Sequence, residues 1–231
     1  MAHAFIFSIL MAIASFSSHI FLNAIKRHKE RIVSLAAGIF VAYLFLQLFP
    51  EIYSIQKEYE NLVFLAVLIG FSLFHFGEKM MYKYLKHDVI VGLEALHVSI
   101  FFLYHAAIGI LLVIFLRENF LKGFFFFFSL AILLLTSSAI FEVLHERKKT
   151  GRTIERWIMS SGFIVGSFIE AVFNISARSS FLLLGFIGGV LIYVVGREVL
   201  PKEKKGNPFL FILGVVLYSI LLIYLNIFKI I

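Results

Sequence analysis

A chain of 231 residues that is 61% apolar and only 15% charged is too hydrophobic for a water-soluble domain, where about 45–50% and about 25% are usual. The mean hydropathy of +0.98 agrees, and the absence of cysteine excludes disulfides, thiolate metal sites and cysteine nucleophiles. The net charge of +7 is no sign of a nucleic-acid partner, because the basic residues are distributed among loops in the manner of a membrane topology.

Apolar runs of about 20 residues, each long enough to cross a bilayer, recur along the whole length. They predict an all-α membrane protein of eight transmembrane helices in one polytopic domain spanning residues 1–231. No polar stretch is long enough to form a soluble domain. The first helix is expected from about His3 to Ile25. No positive segment precedes it and the basic Lys26, Arg27, Lys29 and Arg31 follow it, unlike a signal peptide. The second runs from about Ile32 and is expected to stop at Pro50, followed by Glu51. The third, about Leu62 to Tyr82, carries His75 and Glu78. The fourth lies within Asp88 to Arg117. A short loop, RENFLKG, leads to the fifth, about Phe124 to Glu146, which opens with five phenylalanines. The sixth (about Trp157 to Asn174) and seventh (about Phe181 to Val199) hold small residues at helical spacing: Gly162, Gly166 and Ser167, then Gly185, Gly188, Gly189 and Gly196. Small residues let helix backbones approach closely in lipid, where apolar burial no longer drives association. The eighth helix begins near Phe209.

Orientation follows from the loops. Those after helices 1, 3, 5 and 7 hold 4, 3, 5 and 4 of the 21 lysines and arginines, and the opposite side holds only Lys57, Arg117, Lys122, Arg178 and Lys229. Basic loops stay in the cytoplasm, so both termini are expected outside.

Helix 4 carries the chemistry. Glu94, His97 and His105 lie inside an apolar span, and ionisable groups at that depth face a bundle interior or a wet cavity. Glu94 and His97 are one turn apart, and His105 returns to within about 20° of Glu94 at 100° per residue, so the three form one stripe. The element Glu94-Ala-Leu-His97 has a counterpart in Glu142-Val-Leu-His145 on helix 5. A Glu and a His three apart share a helix face and offer oxygen and imidazole to a divalent metal. Glu94 and Glu142 each sit about 6–8 Å inside the same end of their helices, at 1.5 Å per residue, and His75 and Glu78 fall at similar depth. Each also has a plainer reading: Glu142 and His145 as headgroup-level residues beside Arg147 and Lys148, Glu94 and His97 as a buried polar pair that fixes packing.

From helix 2 onward the chain resembles the ZIP (zinc- and iron-regulated transporter-like) family. AAGIFVAYLFLQLFPE, Ala36 to Glu51, is similar to that family's AGxFLxxxxxHLxPE, with Gln47 in place of histidine. LLLGFIGGVLIYVVGREVLPKEKKG, followed by NPFLFILGVVLYSILLI, resembles its glycine-rich seventh helix and last helix. RTIERWIMSSGFIVG, Arg152 to Gly166, looks like the helix 5–6 junction of a bacterial and archaeal branch. The resemblance implies eight helices with both termini outside and a place for Gln47 on the ion path. The family's HNxPEG-like and HExxH-like ligand motifs are altered. Helix 4 has YHAAIG, Tyr104 to Gly109, with His105 where the family has asparagine, and helix 5 has Thr136, Ser137 and Ser138 where its first histidine falls.

The expectation is therefore a divergent ZIP-like transporter of a divalent cation (zinc, iron or manganese) in a prokaryotic cell membrane. It would act by alternating access, with Gln47, Glu94, His97, His105, Glu142 and His145 as metal-contacting residues, no required cofactor, and a homodimer as its assembly. The metal is substrate; the bilayer is the other partner and nucleic acid is not one. Two other readings stay open: a ZIP-fold membrane protein without transport that serves as a regulatory or assembly partner, and a metal-dependent membrane enzyme built on the paired Glu-x-x-His elements.

Overall fold

A computed structural model describes residues 2–24, 28–55, 59–84, 90–136, 152–196 and 206–227. These residues form helices and short turns: α1 (Ala2–Ala24), α2 (Lys29–Tyr43), a π-helical turn (Leu44–Leu48) that continues without a break into α3 (Phe49–Tyr53), α4 (Glu60–Tyr84), α5 (Ile90–Glu118), α6 (Phe120–Thr136), α7 (Arg152–Phe173), α8 (Ala177–Val194) and α9 (Pro208–Ile227). With α2, the π turn and α3 taken as one rod, the described residues make eight rods. Six of them are long and apolar enough to cross a membrane, and α1 and α6 contribute shorter apolar stretches, His3–Ser18 and Phe120–Thr136. Large apolar side chains lie exposed along α4, α7 and α9, such as Leu68, Phe76, Phe168, Phe209, Ile212 and Ile220. On helices this long and apolar, such surfaces suit a hydrocarbon environment. The chain is an integral, multi-pass membrane protein.

The helix ends follow local chemistry. Asn119 is the single residue between α5 and α6. Its Oδ1 accepts from the N–H groups of Leu121 (2.8 Å) and Lys122 (3.3 Å), which caps α6. Asn207 caps α9 through Leu210 N–H (3.1 Å), and Ser176 caps α8 through Ser179 N–H (3.4 Å). Asn174 ends α7 in the left-handed region at φ 50°, a conformation asparagine tolerates. The fifth helix thus begins at Phe120 rather than near Phe124, because asparagine starts it inside the expected loop. The sixth begins at Arg152, five residues before Trp157, with Glu155 as an acidic residue in its first turn.

Pro50 does not end the second helix. It sits directly after the π turn, where Phe49 N–H bonds to Leu44 O, five residues back. A proline inside a regular helix lacks its N–H and presses its ring on the carbonyl four residues earlier. Widening the preceding turn relieves that clash, and the rod continues to Tyr53.

Three helix pairs hold the bundle together, each closed by glycines against a facing backbone. On α2 and α9, a Cβ at Gly38 would lie 2.1 Å from Phe211 O, and one at Gly214 would lie 2.3 Å from Leu35 O. On α4 and α8, Gly70 faces Phe186 O, Gly185 faces Val63 O and Gly189 faces Val67 O at 1.9 Å; on α5 and α7, Gly109 faces Phe163 O, Gly162 faces Phe102 O and Gly166 faces Ala106 O at 1.9 Å. Contacts advance together along both members, from Ser34–Asn207 to Tyr43–Tyr218 on the first pair and from Phe102–Gly162 to Arg117–Glu170 on the third. Each pair is therefore parallel. α1 packs on α6 and α7, and α6 lies between α5 and α2. The core is Phe40, Tyr43 and Leu48 of the second rod, Ile108, Leu111 and Leu112 of α5, Phe126 and Leu130 of α6, Phe163 of α7 and Ile187 and Leu191 of α8.

Candidate functional site

Polar groups inside this apolar bundle fall into separate sets, each defined by the helices it joins. His105, the midpoint of α5, is 4% exposed. Its Nδ1 lies 2.8 Å from Met159 O, and its ring stacks on Phe163 with centroids 4.2 Å apart. A carbonyl only accepts, so Nδ1 carries the proton and Nε2 holds the lone pair, the tautomer of an imidazole that ligates metal through Nε2. Both contacts place the ring against α7. The close approach of Gly162, where a Cβ would be 2.9 Å from His105 Cβ, brings α7 near enough for that bond.

Gln47 occupies the π turn. Its Oε1 is buried and has no hydrogen-bond partner among the described residues. An orphaned buried acceptor is uncommon, because its desolvation is not offset, and single π turns recur at functional sites. One turn to either side, the neighbours of Gln47 meet α6 and α9. Tyr43 packs on Phe126 (6.5 Å) and Tyr218 (6.4 Å), with Tyr218 OH 2.9 Å from Ser129 Oγ. Glu51 Oε1 accepts from Lys122 Nζ at 2.7 Å. Gln47 thus lies between two contacts of the second rod with α6, an aromatic one toward the bundle centre and an ionic one at the rod's end.

The remaining sites expected from sequence divide by what is described. Glu94 and His97 lie on the first turns of α5, on one rod with His105 as expected, but their side chains lie outside the described part of the chain. Glu142 and His145 lie outside the described residues altogether. Among the described residues, no three His, Asp or Glu side chains come together as a metal site. Glu78, 7% exposed, accepts from Tyr193 OH across the α4–α8 pair, and the His75 ring lies 5.6 Å from Tyr193. This carboxylate is directed at α8.

Two ionic networks were not singled out by sequence reasoning. At one, Arg117 Nη1 donates to Glu170 Oε1 (2.7 Å) and Asn174 Oδ1 (3.0 Å), while Glu170 Oε2 accepts from Ile175 N–H (3.0 Å). Glu170 is 2% exposed, so this one carboxylate ties the end of α5 to the α7–α8 turn. Charged hydrogen bonds contribute about 1.5–3 kcal/mol each, and partial exposure of Arg117 places this one near the lower bound. Glu170→Gln is expected to lower the unfolding temperature in detergent by about 2–6 °C without changing the helical signal; equal melting curves for variant and parent would refute it. At the other, Lys122 Nζ also donates to Glu118 Oε2 (2.5 Å) and stands 4.5 Å over the Phe115 ring. Glu118 and Lys122 stand on either side of the single-residue α5–α6 turn, and Glu51 reaches the same ammonium through the packing of α3 beside α6.

No protein-family model matches the chain, and no characterised protein matches it significantly.

Proposed function

We propose that the chain is a divergent ZIP-like transporter that carries a divalent cation across a membrane in eight crossings, both termini on the side away from the four basic loops. The observation that supports this reading best is the buried Oε1 of Gln47, without a hydrogen-bond partner among the described residues, on the π turn toward the end of the second rod. An amide oxygen without a protein partner suits a partly dehydrated cation, which would replace the missing hydrogen bond with coordination. His105, whose Nδ1 bonds to Met159 O, offers Nε2 as a borderline-soft nitrogen on another helix. Glu94, His97, Glu142 and His145 would extend the path toward the basic side. Three parallel pairs, each joining helices an even number of crossings apart in that topology, are compatible with eight crossings. The mixed nitrogen and oxygen donors, with no sulfur from cysteine, suit zinc, iron(II) or manganese better than copper(I). Carriage would proceed by alternating access, with no resident cofactor and no covalent chemistry.

A second reading is favoured by the contacts of His105. An imidazole bonded to Met159 O and stacked on Phe163 is also what a purely structural histidine looks like. On that reading the chain is a ZIP-fold membrane protein without transport, acting through its assembly.

Purified protein in proteoliposomes, with Zn²⁺, Mn²⁺ or Fe²⁺ offered separately, decides between them. Uptake above protein-free vesicles that is lost together in Glu94→Ala and His97→Ala supports the transporter. A folded preparation that moves none of the three ions removes it.

A further inference from the structure

The Lys122 network has a geometry that the transport reading leaves unused. Three groups converge on one ammonium: Glu51 Oε1 at 2.7 Å, Glu118 Oε2 at 2.5 Å and the Phe115 ring at 4.5 Å. They are not equivalent. Glu118 and Phe115 belong to α5, which is joined to α6 by a single residue, so they move with Lys122 and aim it. Glu51 belongs to α3, at the end of the second rod, and no short connection links it to α6. The Lys122–Glu51 bond is thus the link of the set that ties the α5–α6 unit to another rod. Lys122 is 16% exposed at its side chain and Glu51 33%, so the bond is partly shielded. One turn beyond it toward the bundle centre, on the same rod, is Gln47; one turn further, Tyr43 closes against Phe126. Along the second rod, the Lys122–Glu51 bond thus stands between the α5–α6 turn and the level of Gln47.

We propose that Lys122 is a tethered cation that locks this end of the seam: its ammonium holds Glu51 across the α3–α6 gap and must release it before a solute reaches Gln47. The lock rests on the transport reading for its purpose, though not for its existence. Its parts have distinct roles. Glu51 is the catch, Lys122 the bolt, and Glu118 with Phe115 a guide that keeps the bolt extended.

The chain has no cysteine, so Gln47→Cys gives a single thiol whose reaction with a membrane-impermeant maleimide reports access to that level. Loss of one partly shielded bond in a charged network is expected to raise the labelling rate about tenfold, the equivalent of about 1.4 kcal/mol, in Lys122→Gln and equally in Glu51→Gln. Glu118→Gln, which removes the guide alone, should raise it less. The exchanged pair Lys122→Glu with Glu51→Lys should return it toward the parent rate, and this double variant also serves if a single one fails to fold. Labelling in Lys122→Gln at the parent rate overturns the lock, as does an exchanged pair as fast as either single variant. Transport is read separately, in protein that keeps Gln47: faster labelling beside a Gln47 protein that moves no ion leaves the lock standing and removes the transport reading, whereas unchanged labelling beside one that does move ions removes the lock alone.

Discussion

Gly166→Ala is expected to lower the unfolding temperature of the purified protein by about 5–10 °C, and Gly166→Leu to abolish the monodisperse species altogether. The Cβ of alanine would lie 1.9 Å from Ala106 O, 2.7 Å from Ala106 C and 2.8 Å from Ala106 Cα. These are backbone atoms of a facing helix, so no side-chain rotation relieves the overlap and α5 must move away from α7. Overpacking of this kind costs about 1–3 kcal/mol, and about 2–4 °C per kcal/mol is usual for a chain of this length. The loss is compounded because the same approach carries the His105–Met159 bond and the Ser167 hydroxyl bond to Gly109 O (3.1 Å). Gly189→Ala, 1.9 Å from Val67 O, should behave alike on the α4–α8 pair, while Gly196→Ala, with nothing within 4 Å among the described residues, should be neutral. Thermal unfolding followed by size-exclusion chromatography checks the set. If Gly166→Ala and Gly196→Ala melt together, the glycine seams do not hold the bundle.

How far the sequence reaches is visible in these same residues. The small residues of helices 6 and 7 announced close backbone approach, and Gly162, Gly166, Gly185 and Gly189 make it. Their partners were not announced, because spacing fixes a face of one helix and says nothing of which neighbour receives it. His105 shows the cost of that gap. Its place inside an apolar span was legible from the sequence, yet that its ring would lie on Phe163 and bond to Met159 O depends on how closely α7 approaches. Pro50 misled for a different reason: proline ends a helix only when the helix must keep regular bonding, and the π turn at Leu44–Leu48 removes that condition. Gln47 drew notice only through a resemblance at its position. Its physical distinction, an orphaned oxygen on a widened turn, exists only once Tyr43 and Glu51 are seated against their partners on α6 and α9. The Lys122–Glu51 bond joins residues 71 apart in the chain, and no local pattern encodes it.

Gln47→Leu should separate function from stability more sharply than any other single change. Leucine matches glutamine closely in volume, suits the apolar surroundings of Leu44 and Leu48, and leaves no buried acceptor unpaired. An unsatisfied buried polar group costs about 1–3 kcal/mol, so the variant is expected to melt higher than the parent, by roughly 2–4 °C for each kcal/mol regained. Its uptake of divalent cation should fall about tenfold or more, since a coordinating oxygen worth at least about 1.4 kcal/mol to the bound ion is gone. A stabilising change that removes activity is the signature of a group kept for function against the interest of the fold. Gln47→Glu sharpens the test from the other side: a carboxylate keeps the oxygen and adds charge, so ion binding should be retained or strengthened while stability without the ion falls. The measurements are thermal unfolding with and without Zn²⁺ and initial uptake rates in proteoliposomes. Were Gln47→Leu to transport at the parent rate, or to melt lower with uptake unchanged, Gln47 would be a packing residue and the strongest support for an ion path through the π turn would be gone.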